Sequence, residues 1–198
     1  TPNARFVGTS GLGPRGDVIK EADWSVGQLL NTLEELGIEE KTMVVFSSDN
    51  GPVLDDGYHD DAVTMIGNHD VNGVLRGGKY SLLDAGTRVP FFVSWPGTIE
   101  PGVSNALVSQ LDLTASIADL LGITITSGAD DSEIITDALL GKSQTGRSEL
   151  FMEAGGKVSL QKDDWYFIPP HEGPKVFGWV NIESGCDSSF QLYHKDDI

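Results

Sequence analysis

The run Thr42-Met43-Val44-Val45-Phe46-Ser47-Ser48 constrains this chain most. Apolar residues that do not alternate with polar ones suit a strand covered on both faces, as in a layered α/β sheet. The run stops abruptly at Asp49-Asn50-Gly51-Pro52. Polar residues at the carboxyl end of a central strand stand where open α/β sheets place their ligands. A second buried strand is expected at Val89-Pro90-Phe91-Phe92-Val93-Ser94-Trp95, closed by Pro96-Gly97. Residues 53–88, between the two, have little periodicity and are heavy in Asp, Gly and His. A connection that long is functional or disordered.

Helical spacing flanks these strands. From Arg15 to Leu36 the apolar positions Val18, Ala22, Val26, Leu29, Leu30, Leu33 and Leu36 form one stripe, and Gly37 is a natural stop. Asp112 to Leu121 reads as a helix with Leu113, Ile117, Leu120 and Leu121 facing inward. A short helix is expected near Ile134–Leu140, after a polar linker carrying Asp130, Asp131 and Glu133. Beyond Gly146 the segments Glu149–Glu153, Val158–Gln161, Trp165–Ile168 and Phe177–Ile182 are short, aromatic and divided by turn residues, which predicts a small antiparallel sheet. The expected organisation is an α/β portion over 1–146 and a small antiparallel β subdomain over 147–198.

With 198 residues, 39% of them hydrophobic, the chain is long enough for a real core. Its 30 acidic against 13 basic residues leave a net charge of −17, which argues against nucleic acid and anionic membrane surfaces as partners. No apolar run approaches the ~20 residues of a membrane span. One cysteine, Cys186, excludes an internal disulfide and a multi-cysteine zinc site, and no basic neighbour activates it. No nucleophile emerges elsewhere: Ser47 and Ser48 lack a Gly-x-Ser-x-Gly elbow.

Four groups of residues are candidates for chemistry. Asp49 and Asn50 offer two hard oxygens to Ca²⁺ or Mg²⁺; the competing reading is a strand ended by an Asn-Gly turn. Gly77-Gly78-Lys79 allows backbone to approach an anion with an ammonium beside it; the competing reading is a flexible surface lysine. Asp55, Asp56, Asp60 and Asp61, around Gly57-Tyr58-His59, look like a cation trap but do not fit the twelve-residue calcium loop, so a solvated acidic loop is expected. His59 and His69 either reach a substrate or are polar surface.

Together, Gly16-Asp17-Val18-Ile19-Lys20-Glu21-Ala22-Asp23-Trp24-Ser25-Val26-Gly27, Val44 to Gly51, Arg76-Gly77-Gly78-Lys79, Gly86-Thr87-Arg88-Val89-Pro90-Phe91 and Trp95-Pro96-Gly97 resemble the formylglycine-dependent sulfatases (arylsulfatases) of the alkaline-phosphatase-like superfamily. The Ser109-Gln110-Leu111-Asp112 helix start is similar as well, although Ala115 and Ser116 stand where a Pro-Thr pair is usual. The resemblance implies the C-terminal part of an alkaline-phosphatase-like α/β sandwich plus the small subdomain. It implies metal ligation of Ca²⁺ by Asp49 and Asn50 and a catalytic and substrate-binding Lys79 on the sulfate; His69 is kept as a candidate substrate contact from its place in the long loop alone. An Asp-Asn pair offers only oxygens, which favours calcium over the zinc or manganese of phosphatases.

The formylglycine motif Cys/Ser-x-Pro/Ala-x-Arg does not occur in this sequence, nor do positions for the family's other two Asp ligands, second Lys and catalytic His. The expectation is therefore a sulfatase fragment that supplies metal and sulfate ligands, lacks the nucleophile and is inactive alone. Its expected partners are a sulfate-ester substrate and either its missing N-terminal half or a second copy. Sulfated sugars or aryl sulfates are the expected substrates, and the resemblance implies a periplasmic or secreted protein. Two alternatives stand beside this: a phosphatase or phosphodiesterase of the same superfamily, and a non-catalytic calcium- or partner-binding module.

Overall fold

The computed structural model describes residues 1–195 and 197. After an N-terminal loop, α1 (Gly13–Glu35) carries Pro14 in its first turn, where a missing N–H is not needed. The loop is pinned by the buried Asp17, whose carboxylate accepts the backbone N–H of Gly8 (2.7 Å) and of Ser10 (2.8 Å). β1 (Val44–Ser47) and β2 (Phe91–Ser94) pair antiparallel, with Val44 opposite Ser94 and Ser47 opposite Phe91. The long connection between them holds one short helix, α2 (Ala62–Met65), and a 3-10 turn at Asp84–Gly86. α3 (Asp112–Leu120) and α4 (Thr136–Leu139) follow.

The remaining strands are β3 (Glu149–Ala154), β4 (Lys157–Lys162), β5 (Trp165–Ile168), β6 (Val176–Phe177), β7 (Ile182–Glu183) and β8 (Gln191–His194). The first three and β8 form an antiparallel sheet in the order β3-β4-β5-β8, while β6 and β7 make a separate hairpin. The sheet packs on the end of the long connection: Leu82 and Leu83 are buried with Met152, Tyr166, Ile168 and Cys186. The Tyr166 hydroxyl donates to the Leu82 carbonyl (3.0 Å), and burial pushes the phenol up to about 12. A second cluster, Ile135, Ala138 and Leu139, sits against Phe91, Val93, Ala106, Val108 and Leu113.

Four expectations are corrected. β1 is not covered on both faces: Phe46 is 43% exposed and Phe92, directly across the pair, 63%. Two strands cannot screen each other's faces, and among the described residues β1 has a single hydrogen-bonded neighbour. The apolar stripe of α1 is likewise open, with Val18, Leu29, Leu30 and Leu36 exposed. On α3 the buried positions are Asp112, Ala115, Ser116 and Ala118, while Ile117, Leu120 and Leu121 are exposed. The small face of the helix lets the 132–135 segment approach closely: the Ile135 N–H donates to Ser116 Oγ (2.9 Å) and the Ala115 N–H to Ser132 Oγ (2.9 Å). Finally, Phe177–Ile182 is not one strand: Phe177 ends β6, Ile182 begins β7 and 178–181 form the turn between them, and β8 was not anticipated.

Buried charge concentrates at one point. Asp112 is fully buried, and its carboxylate takes the Arg147 guanidinium together with the N–H groups of Ser109 (3.0 Å) and Glu133 (2.9 Å). Three donors on one carboxylate offset the cost of removing it from water. This ties α3, the 130s segment and the chain leading into β3 together.

Candidate active site

The turn after β1 is held from three sides. Gln110, just before α3, donates its side-chain amide to Ser47 Oγ (2.9 Å) and to the Ser48 carbonyl (2.6 Å), fixing the end of the strand. The Gly51 N–H donates to the Gly86 carbonyl (2.9 Å). A Cβ on Gly51 would lie 1.7 Å from the Ala85 carbonyl oxygen, so only glycine permits this approach. The Lys79 N–H donates to the Pro52 carbonyl (2.9 Å), which seats the Gly-Gly-Lys loop beside the Asp49–Pro52 turn.

That loop depends on its glycines. Gly77 has φ +92 and Gly78 φ +152, both in the region that side chains avoid. A Cβ on Gly78 would meet the Pro52 carbonyl oxygen at 2.8 Å and Ile182 of β7 at 3.2 Å. The β6–β7 hairpin thus rests directly on the loop. It is clamped there by an ion pair between Arg76 and Glu183 and by the Leu82 N–H donating to the Ser184 carbonyl (2.9 Å). Lys79 Nζ lies 5.4 Å from the centre of the Tyr80 ring.

Asp49 is exposed and Asn50 half-buried. The Asn50 side-chain N–H donates to the Gly51 carbonyl (2.9 Å), which turns its Oδ1 into the free acceptor of the amide. Asp49 has no hydrogen bond or ion pair among the described residues. Two uncommitted oxygens at a rigid strand end suit a hard cation, and two ligands leave most of its coordination sphere to other donors. No group of three or more His, Cys, Asp or Glu able to hold a metal is present among the described residues.

The acidic loop differs from expectation. Arg15 of α1 reaches into it, donating to Asp60 (2.7 Å), Asp56 and the Val53 carbonyl (2.6 Å). Burial alone would push the Asp60 carboxyl up, but the Arg15 guanidinium and the Ala62 N–H hold it below the usual carboxylate range. Asp56 and Asp60 are therefore paired ligands of an arginine, not solvated charges. His69 is exposed in the turn after α2, its backbone N–H on the Ile66 carbonyl (3.2 Å), and no hydrogen bond ties its side chain to Lys79.

Sequence reasoning missed Gln110 and Glu183 as supports of the site. Gln110 lies inside the Ser-Gln-Leu-Asp segment that carried part of the resemblance, a signal that was present. Glu183 lies 107 residues from the arginine it holds, and nothing local marks it.

A family model for sulfatases matches residues 3–123. The chain is 43% identical over 194 residues to an N-acetylgalactosamine-6-O-sulfatase of Bacteroides thetaiotaomicron, an alignment that takes in 97% of this chain and 38% of that enzyme. It is 36% identical over 146 residues to human arylsulfatase A, covering 74% of this chain and 27% of that protein. A structure solved in work on the metabolism of multiple glycosaminoglycans by B. thetaiotaomicron superposes with a TM-score of 0.94 at 42% identity, over 98% of this chain and 41% of that one. A Pseudoalteromonas sulfatase crystal structure shares the fold at 24% identity, TM-score 0.73, over 98% of this chain and 37% of its own. The chain thus spans well under half the length of each of these relatives.

Proposed function

This chain belongs to the sulfatase family, and on that premise we propose that it forms part of an enzyme that hydrolyses sulfate esters of sugars. The observation that carries the reading is the junction of the Asp49-Asn50 turn with the Gly-Gly-Lys loop through the Lys79–Pro52 hydrogen bond. It puts the backbone of Lys79 beside the turn that carries the Asp49 and Asn50 oxygens, which supports reading the two segments as one site. A sugar substrate is favoured by the 43% identity to an enzyme named for N-acetylgalactosamine 6-O-sulfate.

Asp49 and Asn50 would hold Ca²⁺, which supplies positive charge against the sulfate oxygens when bound. The Lys79 ammonium contacts a sulfate oxygen and stabilises the negative charge that grows on the bridging oxygen as the S–O bond opens. The glycines and the β6–β7 hairpin fix the backbone of Lys79, the base from which that ammonium reaches the sulfate. The 198 residues contain no Cys/Ser-x-Pro/Ala-x-Arg motif, so a formylglycine nucleophile has no candidate position here, and the chain alone is inactive. The open α1 stripe and the bare face of Phe46 and Phe92 support packing against further polypeptide of the same enzyme. A periplasmic or secreted location is part of the same proposal.

The test is hydrolysis of N-acetylgalactosamine 6-sulfate by this chain alone and after joining it to a formylglycine-bearing sulfatase half. Turnover only in the joined protein, abolished by Lys79→Ala, is expected. Turnover that survives Lys79→Ala overturns the assignment.

A further inference from the structure

Next to Lys79 the surface holds a feature that the sulfate chemistry does not use. Tyr80 is 40% exposed and adopts φ +75, a conformation that costs a non-glycine residue energy and persists only where its surroundings impose it. Its ring packs against that of Trp179, with centres 4.9 Å apart and planes tilted by 46°. Trp179 is the exposed tip of the β6–β7 turn, where no core is served by so large a side chain. The two rings open onto a cavity of about 220 Å³ whose other walls include Phe177, Ala154 and Lys157. Neither Lys79 nor Lys157 has an ion pair among the described residues, in a chain of net charge −17. Two uncompensated cations flanking an aromatic surface make this corner complementary to an anionic sugar.

The geometry points to Tyr80 and Trp179 as the binding shelf for the sugar that carries the sulfate ester, with Lys157 contacting a second anionic group on the same saccharide. This rests on the sulfatase reading and extends it from the sulfate to the alcohol part of the substrate. The C–H face of a pyranose packs on an aromatic ring, as other partly polar groups do, and leaves its hydroxyls to water. Lys79 Nζ already lies over the Tyr80 ring, so an ester held by that ammonium places its sugar beside the same ring. The hairpin that carries Trp179 is the one clamped by Arg76–Glu183 and seated on Gly78, so the Lys79 backbone and the shelf are positioned by one set of contacts.

The experiment is an NMR titration of the full 198-residue chain, following the indole N–H of Trp179 and the backbone amides of Lys79 and Tyr80. The probes are N-acetylgalactosamine 6-sulfate, N-acetylgalactosamine and sodium sulfate. Sodium sulfate is expected to move Lys79 and Tyr80 but not Trp179, and the sugar sulfate to move all three. Trp179→Ala weakens sugar-sulfate binding roughly tenfold, Trp179→Phe restores most of it, and neither changes sulfate binding. Sugar-sulfate binding that is unchanged in Trp179→Ala, or that leaves the Trp179 indole unmoved, overturns the shelf. If sodium sulfate still acts at Lys79 in that case, the sulfatase reading stands; if sulfate moves neither Lys79 nor Tyr80, that reading falls with it. Lys157→Ala lowers affinity for a doubly anionic disaccharide more than for the monosulfate, and equal losses overturn the role given to Lys157.

Discussion

Lys79 donates its backbone N–H to the carbonyl of Pro52 at 2.9 Å, and this bond joins the two segments that hold the candidate ligands. Pro52 and Lys79 are 27 positions apart in the chain, and the Gly51–Gly86 hydrogen bond and the Arg76–Glu183 clamp hold segments on either side of them.

Gly51→Ala tests the closeness of that packing. The added methyl would sit 1.7 Å from the Ala85 carbonyl oxygen, backbone that cannot rotate away. We expect a loss of about 3 kcal/mol or failure to fold, read from the denaturant midpoint.

Asp49→Ala separates metal binding from folding. The carboxylate is exposed and holds nothing together, so its removal should change stability by less than ~0.5 kcal/mol. Calorimetric titration with CaCl₂ should show binding in the wild type and none in the variant. Equal affinities would remove Asp49 from the ligand set.

Asp112→Ala should be among the most damaging substitutions outside the site. It strands the Arg147 guanidinium, whose side chain is only 11% exposed, and unpairs the N–H groups of Ser109 and Glu133. The expected cost is ~3–5 kcal/mol. Pairing it with Arg147→Met should recover part of that loss, because the uncompensated charge goes too; thermal denaturation of both variants checks this.

Asp17 makes the N-terminal loop acid-sensitive. The Ser10 N–H, followed by that of Gly8, holds its carboxyl below the usual range. A lowered carboxyl contributes stability above the unfolded value, near pH 4, and loses it as pH falls through the folded value. Hydrogen exchange at Gly8 and Ser10 should accelerate there relative to α1, and Asp17→Asn should show the fast exchange at neutral pH.

Asp84 carries the opposite sign. Burial pushes its carboxyl up, and the hydrogen bond from Arg88 only partly counters this. Its favourable contribution is present below the unfolded value and is lost as pH rises through the raised folded value. Asp84→Asn should therefore match or exceed the wild type in Tm at pH 7, with the difference shrinking or reversing near pH 4.

Local pattern carried much of this protein. The extent of α1, the two strands around the long connection, α3 and most of the C-terminal sheet follow from periodicity and from the glycines that stop each element. The Asp-Asn turn and the Gly-Gly-Lys loop were visible for the same reason: each is a contiguous run whose chemistry lies in its own residue types. Burial was less legible. Val44 to Phe46 and the α1 stripe read as interior, yet both present open faces, because hydrophobicity records what a segment is suited to contact and not what lies against it.

What the sequence by itself determined is therefore most of the elements and the candidate groups proposed to ligate a cation and an anion. The tertiary structure alone decided that Arg15 pairs with Asp56 and Asp60 of the acidic loop, that Glu183 clamps Arg76 across 107 residues, and that Trp179 stands against Tyr80 beside the candidate lysine. The last two contacts depend on how a C-terminal hairpin packs against a mid-chain loop. No local periodicity encodes that packing, since it is settled by steric fit at Gly78 and by where the sheet buries Leu82 and Leu83.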